Sequence, residues 1–260
     1  MRLHLRLRAN ADQKDVSLDY NKLQGFVYRL LQESGYVGIH DKEGYKFFSF
    51  SNVFPYGDMA KGNIRHFIFA SPNRKIIEAV AGHLESSKNK QFNIGDCSFT
   101  LSSFETLDYS LPPAPVKVIS ATPIIIRIPA YNYDLYNVPE TERMPRYIYW
   151  RPTISFDAFI AQLSANLVKK YNEYYGTEID VVNLFEQCYF KKPVHTRLII
   201  NGKSYGVAAS LWEFSWNYLS PIQKRIIGFA LDAGFGERNS FGFGFVNVMK
   251  TKSASNSPTP

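Results

Sequence analysis

The chain has 260 residues, 45% of them hydrophobic and 20% charged, enough to bury a core in one large domain or in two of roughly 100–150 residues each. Its two cysteines, Cys97 and Cys188, stand outside any C-x-x-C pair, which argues against a disulfide framework and a cysteine zinc site and fits a reducing cytoplasm. No run reaches the roughly 18 apolar residues of a membrane span, and the start MRLHLRLRAN lacks the apolar block of an export signal, so the expectation is a cytoplasmic protein with no membrane partner. Lys and Arg number 30 against 23 Asp and Glu, a net charge of +7 that favours a polyanionic partner.

Residues 2–8, RLHLRLR, alternate leucine with basic residues, the period-two pattern of a half-buried strand with a basic outer face. YNKLQGFVYRLLQES then sets Leu23, Phe26, Val27, Leu30 and Leu31 on one helical stripe, closed by Ser34 and Gly35. KFFSFSNVF and IRHFIFA read as strands. SPNRKIIEAVAGHLESS reads as a helix with a serine cap and a proline in its first turn, and NIGDCSFTLSSFETL alternates again. The order is β-α-β-β-α-β.

A proline-rich passage follows, and the same order recurs. VKVISATPIIIRI predicts a strand and SFDAFIAQLSANLVKKYNEYYG the longest helix. CYFKKPVHTRLIIN and KSYGVAASLWEFSW predict a strand pair turning at Asn201-Gly202; SPIQKRIIGFALDAG a helix capped by Ser220 with Pro221 just inside; FGFGFVNVM the last strand. The expected fold class is α+β, two tandem ferredoxin-like (βαββαβ) domains. Their expected bounds are 1–110 and 119–250, with a linker at 111–118 and a disordered tail at 251–260, which has no apolar periodicity.

Residues 231–248, LDAGFGERNSFGFGFVNV, are too rich in glycine for an ordinary strand and too aromatic for a linker. Gly234, Gly236, Gly242 and Gly244 follow a helix and precede the last strand, so they do not form the strand-to-helix G-x-G-x-x-G of a dinucleotide site. Nor is Gly202-Lys203-Ser204 a phosphate loop, because Arg197 stands where its first glycine belongs. Two readings stay open: a helix cap and bulged strand, or a backbone surface that approaches phosphate.

AGFGERNSFGFGFVNV at the end of a double ferredoxin-like chain resembles the signature loop of the CRISPR-associated repeat-processing endoribonucleases, the Cas-six type of the RAMP superfamily. YNKLQGFVYRLLQES is similar to that family's first helix and GIHDKEGYKFFSFS to the segment after it, so the resemblance spans nearly all of residues 1–249. It implies an endoribonuclease, without metal or other cofactor, that cuts CRISPR precursor RNA within each repeat to release guide RNAs. The ribose 2'-hydroxyl attacks the adjacent phosphorus and leaves a 2',3'-cyclic phosphate and a 5'-hydroxyl. It also implies catalytic residues: Tyr28, His40 and Lys46, matched through LQGFVY, GIHD and GYKFF.

Those residue types suit the reaction. An imidazole titrates near neutrality and can move the proton between the 2'-oxygen and the leaving oxygen, a phenol can orient the 2'-hydroxyl, and an ammonium can stabilise charge on the phosphoryl oxygens. Each also has a plainer reading: Tyr28 packs beside Phe26 and Val27, His40 is a polar loop histidine, and Lys46 is a solvated lysine at a strand start. His4 and His66 fall on predicted strands and can approach His40; His83 reads as structural.

RNA binding is expected along a basic face at Arg127, Lys191, Lys192, Arg197, Arg225 and Arg238, with the four loop glycines, and with Tyr131, Tyr133 or Trp150 stacking on unpaired bases. The alternative for each cation is a solubilising surface. Beyond CRISPR repeat RNA, other effector-complex subunits or a second copy of the chain are possible partners. The competing function is a non-cutting RNA-binding RAMP paralogue or scaffold subunit. A pair of unrelated RNA-recognition modules ranks last, because IRHFIFA lacks their glycine-aromatic pattern.

Overall fold

A computed structural model describes residues 1–14, 18–39, 41–86, 90–200 and 202–249. The tail expectation at 251–260 falls outside the described residues, as does Asn201 of the predicted turn; Gly202 beside it has a φ of 72°.

The N-terminal half runs β1 (Arg2–Ala9), α1 (Tyr20–Glu33), β2 (Ser49–Phe50), β3 (Ile64–Ala70), α2 (Arg74–Ser86), β4 (Gln91–Ile94) and β5 (Cys97–Leu107). Its antiparallel sheet has the order β2-β3-β1-β5-β4. The C-terminal half runs β6 (Val116–Ser120), β7 (Arg127–Pro129), β8 (Tyr147–Tyr149), α3 (Phe156–Tyr175), β9 (Gln187–Ile200), β10 (Lys203–Trp216), α4 (Pro221–Ala233) and β11 (Val246–Val248). Here the order is β11-β6-β10-β9, with β7 and β8 pairing separately. In each half the first and third strands of the β-α-β-β-α-β unit are central, which makes both halves ferredoxin-like.

The alternation in β1 places Leu3, Leu5 and Leu7 fully inside, against Leu23, Phe26, Val27, Leu30 and Leu31 of α1 and Ile76, Ile77, Val80 and Leu84 of α2. The Asp19 carboxylate accepts from the Lys22 amide at 2.9 Å and starts α1. Ser220 and Gln223 form a reciprocal capping box at α4, with Pro221 in its first turn.

Four segments depart from the sequence expectation. VKVISATPIIIRI is broken after Ser120: Pro123 has no amide to give a ladder, and Ile124 pairs instead with Ser210 at 2.8 and 3.0 Å. Residues 91–107 fold back as a hairpin at Gly95, whose φ is 59°. KFFSFSNVF contributes only two ladder residues, pairing again singly at Phe54 and His66 before Pro55. Helix α2 starts at Arg74 because the Ser71 hydroxyl donates inward to the Phe47 carbonyl, leaving the Asn73 side chain to accept from the Lys75 amide.

The two halves meet through Arg2, 2% exposed. Its guanidinium donates to Asp232 Oδ1 at 3.1 Å, Asn247 Oδ1 at 2.6 Å, and the carbonyls of Leu231 and Val246 at 2.7 and 2.9 Å. The rings of Tyr109 and Phe245 cover it at 4.1 and 4.9 Å. Among the described residues no helix is long and apolar enough to cross a membrane.

Candidate active site

Between the halves lies a cleft of about 710 Å³, walled by residues 44–48, α3, the β7–β8 pair and residues 237–241. Six lysines and arginines line it, Lys46, Arg127, Arg146, Lys169, Lys170 and Arg238, against one carboxylate, Glu237. A cleft lined by one sign of charge concentrates anions.

Tyr28 stands on the half-buried side of α1, where its ring meets Phe48 edge-on at 5.9 Å. Lys46, on the segment entering β2, donates from Nζ to the Tyr28 hydroxyl at 2.9 Å, with the ammonium 5.1 Å from the ring centre. Two of the three expected catalytic side chains are thus in contact. His40 lies outside the described residues; of its neighbours, Ile39 packs on the N-terminal core and the Asp41 amide donates to the Gly38 carbonyl at 3.1 Å. Phe47 anchors the segment to the C-terminal half through Tyr174 and Phe229, at 5.1 and 6.2 Å between ring centres.

The glycine-rich loop forms the facing wall. All four glycines are buried with positive φ: 89° at Gly234, 65° at Gly236, 95° at Gly242 and 70° at Gly244. A β-carbon at Gly244 would lie 1.8 Å from the Phe235 carbonyl oxygen, and one at Gly236 would lie 2.5 Å from that of Ile125. Two protein backbones approach where a side chain would have stood. The Gly234 and Gly236 carbonyls point at Lys170 of α3, whose ammonium donates to both, the second at 2.9 Å, and to Asn239 Oδ1 at 3.0 Å. Asn239 in turn donates to the Phe235 and Phe243 carbonyls at 3.1 and 2.9 Å. Burial pushes the Lys170 ammonium down to about 7, with Glu237 pulling the other way.

So folded, the loop presents side chains to the cleft. Glu237 accepts from the Arg127 amide at 3.2 Å and pairs with the Arg127 guanidinium, which lies 4.5 Å from the Tyr147 ring centre. Arg238 adopts the left-handed conformation, φ 55°, and its guanidinium stands over Phe241 at 5.6 Å. For the Tyr147 phenol burial acts upward, but hydrogen bonds with Tyr149 and Arg127 and the Arg127 and Arg238 charges hold it below its ordinary value.

The other expected contacts divide. Arg127 and Arg238 line the cleft with Lys46, and so does Tyr131, 85% exposed. Lys191, Lys192 and Arg197 are exposed along β9; Lys191 pairs with Glu213 at 3.0 Å, and Arg197 lines a second cleft of about 440 Å³ with Tyr149, Arg151 and His195. Arg225 is exposed on α4 and lines neither. Tyr133 and Trp150 do not stack on bases: they are 4% and 5% exposed, the phenol held by the Met144 carbonyl at 2.9 Å and the indole by that of Ser155 at 2.9 Å. His4 and His66 bond each other at 2.9 Å and His4 bonds Glu105 at 2.9 Å; neither lines the cleft. His83 meets Glu33 at 3.2 Å.

Sequence reading missed Lys170, Asn166, Arg146, Tyr147 and Glu237. Lys170 left a signal, a lysine falling at an apolar stripe position of α3, seven residues after Leu163 and three after Leu167. Arg146 and Tyr147 lie in residues 132–150, an aperiodic run long for a loop, which points to contact with RNA or another subunit.

Residues 114–248 match the family model described as CRISPR associated protein Cas6, C-terminal. The chain belongs to the Cas6 family. A CRISPR-associated endoribonuclease Cas6 of Haloferax mediterranei is 31% identical to it over 97% of this chain and 95% of the relative. A second, the CRISPR-associated endoribonuclease Cas6 2 of Methanocaldococcus jannaschii, is 26% identical over 96% of this chain and all of its own length. A solved CRISPR associated protein Cas6 covers 96% of the chain with a TM-score of 0.70 at 21% identity, 99% of its own length being matched. A Cas6 product complex covers 95% with a TM-score of 0.62 at 12% identity, 99% of its own length being matched. These solved structures share the Cas6 fold with the chain; at such identities they speak to fold alone.

Proposed function

We propose that this chain is an endoribonuclease that cuts CRISPR precursor RNA within its repeats, and that the cleft beside Tyr28 and Lys46 is where it cuts. The relatives from Haloferax mediterranei and Methanocaldococcus jannaschii carry endoribonuclease names. The observation that carries the site is the 2.9 Å bond from Lys46 to Tyr28, which sets a phenol and an ammonium side by side at a cleft with a cationic excess.

The reaction is a transesterification without metal. The 2'-oxygen forms a bond to the adjacent phosphorus as the bond from phosphorus to the 5'-oxygen breaks. The proton leaving the 2'-hydroxyl is balanced by the proton that the 5'-oxygen gains, with His40 as the group that moves it. Tyr28 orients the 2'-hydroxyl, and Lys46 holds the negative charge growing on the phosphoryl oxygens. The strand is gripped by Arg127 and Arg238 in the cleft and by Lys191, Lys192 and Arg197 along β9; Arg225 and the loop glycines are secondary, the glycines acting by shaping the loop that carries Arg238.

The test is cleavage of a repeat RNA in EDTA, repeated with a 2'-deoxy nucleotide at the scissile position. One cut with the natural RNA and none with the deoxy RNA is expected. Cleavage that needs magnesium or survives the deoxy substitution overturns the mechanism.

A further inference from the structure

Helix α3 turns two stripes toward different surroundings. Leu163, Leu167 and Tyr171 enter the core, while Gln162, Ala165, Asn166, Lys169 and Lys170, spaced three and four apart, line the cleft. Two atoms there stand out. Asn166 Oδ1 and Arg238 Nε are both buried and, among the described residues, neither has a hydrogen-bond partner. A buried polar atom left so costs roughly 1–3 kcal/mol, and two of them on residues that line one cleft point to groups supplied from outside the chain.

We infer that the α3 wall of the cleft is a ribonucleotide subsite, in which Asn166 engages a 2'-hydroxyl and Arg238 holds a neighbouring phosphate. It rests on the RNA reading above and adds which groups of the strand this wall recognises.

The chemistry of the two atoms selects the ligand. A guanidinium N–H only donates, so Arg238 Nε needs an oxygen acceptor, and an anionic one is favoured. Among the described residues none supplies it: Glu237, the carboxylate of the cleft, is engaged by Arg127. A hydroxyl both donates and accepts, so it satisfies either end of the Asn166 amide. Phosphate and free hydroxyl lie one sugar apart in RNA, whereas DNA lacks the hydroxyl.

The loop behind Arg238 is built to keep it there. Arg238 holds a left-handed conformation uncommon for a side chain of its size, between Gly236 and Asn239, both fixed by the Lys170 ammonium. Lys169, exposed on the same stripe, adds positive charge along the path of a backbone.

The experiment is a gel-shift titration in EDTA with a set of repeat RNAs, each carrying one 2'-deoxy nucleotide. Shifted RNA is re-run under denaturing conditions so that only intact strands are counted. Wild-type protein is expected to lose about 5–10-fold in affinity at one ribose, the size of one hydrogen bond. Asn166→Ala is expected to bind the all-ribose RNA weaker by a similar factor, with no further loss at that ribose. Arg238→Ala keeps the deoxy penalty but lowers the salt dependence of binding by about one counterion. A wild-type profile flat at every ribose, or an Asn166→Ala profile identical to the wild type's, overturns the subsite while leaving RNA binding intact. Failure of the wild-type protein to bind any repeat RNA overturns the functional reading itself.

Discussion

The Lys170 ammonium lies 2.9 Å from the Gly236 carbonyl oxygen. A helix of the C-terminal half thereby supports from within the loop that faces the N-terminal half, and the charge is shared among two carbonyls and the Asn239 amide. Removing it leaves three acceptors without a donor, so Lys170→Met is expected to lower unfolding stability by about 3 kcal/mol at pH 6, where the ammonium carries all three N–H groups, measured in denaturant.

The same lysine gives a pH signature. Folded, it releases its proton at about 7, whereas an unfolded-chain lysine keeps it to about pH 10.4. Between those values the unfolded state binds more protons, so this group's contribution to stability rises with pH across the window and is smallest below pH 7. The gap between wild type and Lys170→Met should therefore widen from pH 7 to pH 10; a constant gap would contradict the assignment.

The glycines separate by what surrounds them. At Gly244 a methyl group meets the Phe235 carbonyl at 1.8 Å under a positive φ, so Gly244→Ala should cost about 3 kcal/mol or more. Gly25, inside α1, has nothing within 4 Å of an added β-carbon, so Gly25→Ala should stabilise by about 0.5–1 kcal/mol. Thermal melts of the two variants should move in opposite directions.

Arg2 and Asp232 make a matching test between the halves. Asp232 is 6% exposed, and Arg2→Met leaves its carboxylate with the Met1 ammonium alone and removes the donor to the Leu231 and Val246 carbonyls. The expected loss is about 3–5 kcal/mol, read from chemical denaturation. Arg6→Met, whose guanidinium reaches Glu105 at 3.3 Å on an exposed surface, should change stability by less than about 1 kcal/mol.

The repeated ferredoxin-like order was legible because its helices and central strands carry a clear period: Leu3, Leu5 and Leu7 on one side of β1, Ile76, Ile77, Val80 and Leu84 on one stripe of α2. The Lys46–Tyr28 contact was legible only through family resemblance, since 18 positions separate the two residues and a short-range pattern does not link them. What stayed hidden was set by tertiary contacts. Tyr133 and Trp150 sit in irregular chain, where no periodicity tells an inward ring from an outward one. The polar stripe of α3 looks in sequence like any solvated helix face, and only the opposing loop turns it into a cleft wall. From sequence the glycine loop fits a structural and a phosphate-facing role equally; its burial and its bonds to Lys170 favour the structural one for the glycines, with Arg238 at the cleft.

The most direct test of the central claim is single-turnover cleavage of a repeat RNA in EDTA by wild type, His40→Ala and Lys46→Ala, with the product ends identified by mass. The account predicts a 2',3'-cyclic phosphate and a 5'-hydroxyl, with each variant cutting roughly 100–1,000-fold more slowly while still binding RNA. A 5'-phosphate end, or wild-type rates in both variants, would contradict it.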